Sequence, residues 1–164
     1  MSVSVIIIGT LLVAMFVLPF FLVGIGKNNN QKQFKTILAN LAEEHSCKIT
    51  QSEFWTDSAI GLDEATNDLF YVHSYSGKPM GQHINLSRYK GCKVNNYSRH
   101  VKDNLGNHTA IDRLELELTP LEKGKSHLIL EFFSADGSKL FSNEFEVVEK
   151  WSKLINEKIS NIKG

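Results

Sequence analysis

The segment from Val3 to Ile25, "VSVIIIGTLLVAMFVLPFFLVGI", constrains this chain more than any other, because it carries no charged residue and only Ser4 and Thr10 bring polar side chains. As a helix rising about 1.5 Å per residue it is long enough to cross a hydrocarbon core of about 30 Å. Pro19 is tolerated near one end of such a helix when neighbouring groups satisfy the freed carbonyl, and it predicts a mild kink. A cleaved secretory signal would want a basic leader, a shorter apolar stretch and a small-residue cleavage site. The leader "MSVS" has no Lys or Arg and the apolar run is too long. The expectation is an uncleaved transmembrane anchor over residues 1–26.

Lys27, Lys32 and Lys35 follow the run while nothing basic precedes it, so the positive-inside rule places the N-terminus outside and the C-terminal domain in the cytoplasm. Three glycosylation triplets, starting at Asn85, Asn96 and Asn107, would argue for an extracellular domain. Two of them fall inside or beside expected strands rather than on loop tips, which lowers their weight.

Lys plus Arg (18) balances Asp plus Glu (18), so no global charge drives the chain onto nucleic acid. Cys47 and Cys92 form neither a CxxC pair nor a disulfide framework, and both read as ordinary thiols of a reducing compartment.

After the spacer at residues 28–30, "QKQFKTILANLAEEHS" sets Phe34, Ile37, Leu38, Leu41 and His45 on one stripe, predicting a juxtamembrane amphipathic helix over 27–46. It would either lie on the membrane surface or pack on the domain. Its lysines come first and Glu43 and Glu44 last, which opposes the helix dipole but suits anionic headgroups.

From residue 47 to 164 the chain reads as one β-rich domain. Strand-like runs follow at 48–55, 58–63, 69–74, 81–87, 91–97, 111–119 and 126–134. In "IDRLELELTP" Ile111, Leu114, Leu116 and Leu118 are the apolar members, while Glu115 and Glu117 point the other way toward water. Gly77, Gly106, Gly124 and Gly137 mark turns. Asn143 and Glu146 form a capping box that opens a final helix, with Phe141 as its hydrophobic staple. Phe145, Val148, Trp151, Ile155 and Ile159 are its expected apolar stripe. The fold class is therefore α+β: a transmembrane helix, then a mainly antiparallel meander or barrel of about seven strands, then an amphipathic helix.

The meander from Lys48 to Ser134, closed by the helix from Phe145 to Ile159 with Trp151 within it, resembles the pleckstrin-homology-like architecture. "IGLDEATNDLFYVHS…HINLSRYKGCKV" looks like the strand–turn–strand–strand pattern of bacterial membrane-anchored proteins of this type. The resemblance implies a bent barrel plugged at one end by the helix. It also implies, in phosphoinositide-binding members, basic residues on the loop joining the first two strands. Here that loop reads "WTDSA", with Asp57 and no base. Arg88, Lys90, Lys93, Arg99 and Lys102, with His100, form a basic stretch elsewhere, readable as an anionic-surface contact or as a charged edge that discourages strand pairing.

The acids of "DEATND", Asp63, Glu64 and Asp68, raise the question of a metal or catalytic site. Ile60, Leu62, Phe70 and Val72 alternate on either side of them, so the segment reads as a hairpin loop built from turn-favouring residues. It lacks the length and central glycine of a calcium loop. The six histidines have no zinc spacing, and no GxSxG, phosphate-cradling glycine loop or dinucleotide fingerprint occurs. The expectation is a binding domain without catalysis, cofactor or metal, whose partner is a protein or an anionic lipid surface. The competing expectation is an exported envelope or pilus-like subunit with an extracytoplasmic β domain.

Overall fold

The computed structural model describes residues 31–103, 106–137 and 143–163. The apolar run at 3–25, Pro19 and Phe141 lie outside them. Among the described residues no helix is long and apolar enough to cross a membrane.

Helix α1 occupies 31–44. Its end is fixed by two reversed hydrogen bonds, Cys47 N–H to the Ala42 carbonyl (2.8 Å) and Ser46 N–H to that of Glu43 (3.0 Å). That is a Schellman closure, and it holds Ser46 at φ 56°, a left-handed position that glycine usually fills. Seven strands follow: β1 (Gln51–Trp55), β2 (Ser58–Asp63), β3 (Asp68–Tyr75), β4 (Lys78–Asn85), β5 (Tyr89–Asp103), β6 (Gly106–Pro120) and β7 (Leu128–Ser134). Helix α2 (Glu144–Lys163) closes the chain.

The strands make two antiparallel sheets in sequence order, β1-β2-β3-β4 and β5-β6-β7. The β3–β4 hairpin turns on Ser76 and Gly77, both at positive φ, the mirror-image turn whose twist matches the strands. The predicted alternation places Ile60, Leu62, Leu69 and Tyr71 on the inner face of the first sheet, in one core with Leu114, Leu116, Leu118, Leu130 and α2. Ala59, Phe70 and Val72 point outward, and there α1 covers them with Phe34, Leu38 and Ala42. Because both faces are covered, β2 is buried at every position rather than at alternate ones. Gly81 permits this approach, since a Cβ there would stand 2.3 Å from the Leu41 side chain. The amphipathic helix thus packs on the domain.

Two expectations change. Phe145 is 39% exposed, and Val147 is buried in its place beside Val148, Trp151, Ile155 and Ile159. At about 100° per residue, Phe145 lies far round from the centre of that buried arc even though it sits three residues before Val148. Glu115 and Glu117 do point away from the core, yet neither is wet. Arg113 Nε lies 3.1 Å from Glu115, while Lys93, Asn95 and His127 close over Glu117.

Candidate functional site

The ends of both sheets and the start of α2 frame a cleft of about 490 Å³, a volume suited to a small ligand. Its walls come from the β1–β2 turn (Thr56, Asp57), the β3–β4 turn (Ser76, Gly77), the end of β7 and Glu144. Trp55 builds the floor: its ring stacks on Phe132 at 4.6 Å and its Nε1–H donates to the Phe132 carbonyl at 3.0 Å. Thr56 Oγ1 donates to Glu144 Oε1 at 2.8 Å, tying the first turn to the helix. Tyr75, half exposed, stands edge-on to His73 at 4.4 Å on the opposite wall.

Beneath this wall lies a buried polar relay. Ser58 Oγ is 2.6 Å from His73 Nδ1, and His73 Nε2 is 3.5 Å from Glu131 Oε1. The Tyr71 hydroxyl donates to the Glu131 carbonyl. Hydroxyl, imidazole and carboxylate in this order is the arrangement of an activated serine. Ser58, however, is wholly buried, so no carbonyl carbon can approach its oxygen. Burial also pushes the His73 imidazole down toward its neutral form and the Tyr71 phenol up. The arrangement joins β2, β3 and β7 behind the cleft, which His73 and Glu131 also line.

The acids of the hairpin loop are structural. Asp63 accepts from the backbone N–H of Lys48 (2.7 Å) and Ala65 (2.9 Å), and these bonds hold its carboxyl below the usual range against the opposing effect of burial. Asp68 accepts from His83 Nε2 (2.8 Å) and Asn85 Nδ2 (3.0 Å), with the Cys47 thiol at 3.5 Å. Glu64 meets Gln51 and Lys158, each at 3.0 Å. Asn67 takes φ 60° in the loop between the paired Asp63 and Asp68. Desolvation raises the Cys47 thiol, and its neighbour Asp68 works in the same direction. The Cys92 thiol is pushed up to about 11 by burial. Neither thiol is set up as a nucleophile.

The basic residues do not converge. Lys90 sits at a register shift in β5 and its carbonyl accepts from Lys163 Nζ at 3.0 Å. Lys93 pairs with Glu117 at 3.2 Å and Arg99 with Asp112 at 2.9 Å. Arg88 precedes β5 in a short 3-10 turn, and Lys102 lies near the strand's far end, next to Asp103. Of these five, two are thus matched by acids of β6.

The Ser58–His73 contact was within reach of the sequence. Once "DEATND" pairs Asp63 with Asp68, antiparallel counting brings Ser58 opposite His73. The third member, Glu131, comes from the other sheet, and no local pattern points to it. Comparison of the chain with protein-family models, curated proteins and solved structures finds no match.

Proposed function

We propose that the chain is a single-pass membrane protein whose β-rich domain lies on the cytoplasmic side and works as a binding module, built on a pleckstrin-homology-like layout and performing no chemistry. The observation that carries this reading is the position of α1. Five residues separate the apolar run ending at Ile25 from the first described turn of a helix whose apolar stripe is seated on the first sheet. The domain is thereby held within a short chain length of the bilayer. A binding role is supported by the cleft at the sheet ends, by the burial of Ser58, and by thiols raised rather than lowered, which lack the activation of a catalytic nucleophile.

Topology tests the reading. The full chain carrying Lys123→Cys, an exposed position after β6, is treated in intact cells with a membrane-impermeant maleimide. Labelling at residue 123 only after permeabilisation is expected, and labelling without it contradicts the cytoplasmic placement. Recovery of a shortened chain lacking residues 1–26 from the soluble fraction would contradict the anchor.

A further inference from the structure

A second cavity, of about 470 Å³, runs between α1 and the segment that leads into β1. Leu38, Ala42, Ile49 and Phe54 make it largely apolar, and Cys47 lines it as well. Its charged residues are Lys35, Glu43 and Lys48. Lys35 and Glu43 lie two turns apart on α1, about 12 Å at 1.5 Å per residue, so one end of the helix wall is cationic and the other acidic. Among the described residues no acid pairs with Lys35.

We propose that this groove binds a long-chain fatty acid, its carboxylate at Lys35 and its tail extended along α1 past Leu38 and Ala42 toward Cys47. The apolar lining accepts a hydrocarbon tail, whose methylenes leave water as they are buried. The ammonium of Lys35 at one end accepts a single carboxylate, while at the other end Glu43 offsets the charge of Lys48, which leaves the Lys35 end the more cationic of the two. Residues 26–30 can span at most about 3.6 Å each, which keeps the Lys35 end of the groove close to the bilayer, where such an amphiphile partitions. The inference rests on the membrane reading only for the source of the ligand.

Cys47 provides the readout. The full chain is reconstituted in phosphatidylcholine nanodiscs, and N-ethylmaleimide modification of Cys47 is followed by peptide mass spectrometry with and without palmitate. Palmitate is expected to slow the modification at least fivefold, and octanoate, too short to reach from Lys35, to leave it unchanged. Ala39→Trp adds bulk at an exposed α1 position that lines the groove and should abolish the palmitate effect. Lys35→Glu should raise the palmitate concentration required at least tenfold. The proposal is overturned by a Cys47 rate indifferent to palmitate, by protection that survives undiminished in both variants, or by octanoate protecting as well as palmitate. A chain that stays out of the nanodiscs counts against the anchor alone, and the same protection is then read on it in buffer.

Discussion

Replacing Asn156 by Ala should weaken the domain through one side chain. Its Oδ1 accepts from the Cys92 N–H at 2.8 Å and its Nδ2 donates to the Cys92 carbonyl at 2.9 Å. In an antiparallel ladder alternate residues turn both backbone groups away from the partner strand, so at Cys92 the α2 amide occupies the place of a neighbouring strand. Ala removes both bonds and leaves a donor and an acceptor part-buried under the helix, at about 1–1.5 kcal/mol each. Ala is the better helix former by roughly 0.6 kcal/mol, which offsets part of that loss and leaves a net destabilisation of about 1.5–2.5 kcal/mol. For a domain of this size the midpoint of thermal unfolding should fall by about 5–10 °C. Asn156→Asp keeps the acceptor but turns the donor into a second acceptor facing a carbonyl, so it should be at least as damaging. Thermal unfolding of the full chain, followed by Trp fluorescence, gives the stability change. Hydrogen exchange at the Cys92 amide gives its location, because that amide loses its partner. A change below about 0.5 kcal/mol in Asn156→Ala, or unaltered exchange at Cys92, would refute the two-bond account.

Ser46→Gly relieves a left-handed residue at the end of α1 and should stabilise by about 0.5–1 kcal/mol, read as a raised urea midpoint with unchanged slope. Gly81→Ala places a methyl group where the tip of Leu41 now packs and pushes that side chain off its rotamer, so it should cost about 0.5–1.5 kcal/mol, with the loss of hydrogen-exchange protection concentrated in α1. Glu117 is held at about 2, below its ordinary 4.5, chiefly by His127, then by Asn95 and Lys93. Its contribution to stability is therefore complete above about pH 4.5 and is lost as the pH falls toward 2. Glu117→Gln should lower stability at neutral pH and flatten the acid limb of a stability–pH curve, and an unchanged limb would assign it to another group.

Local pattern was a good guide wherever one hairpin decided the outcome. Ser58 to Asp63 is a strand with the predicted bounds, and the register across "DEATND" follows from its turn residues. The apolar stripe of α1 read correctly at Phe34, Ile37, Leu38 and Leu41, while His45 lies exposed just past the helix end and Ala42 is buried instead; its sequence left open whether that stripe met lipid or protein. Side chains reaching between distant elements were not legible. Asn156 resembles any polar residue of an amphipathic helix until β5 is placed beside it. The lengths of β5 and β6, 15 residues each, also exceeded the expected runs at 91–97 and 111–119. Beyond those runs the two strands pair mainly with each other, without the apolar alternation that marks a strand lying on a core.

The seat of α1 on the first sheet has a mechanical side. Tension applied to the chain ahead of residue 31 is delivered to a helix lying on Ala59, Phe70 and Val72, at the middle of the sheet rather than at its rim. Such a load is shared among many side-chain contacts, so the helix has to be peeled off before the strands beneath feel the strain. Its detachment would bare Phe70 and Val72 while the larger core against α2 stays closed.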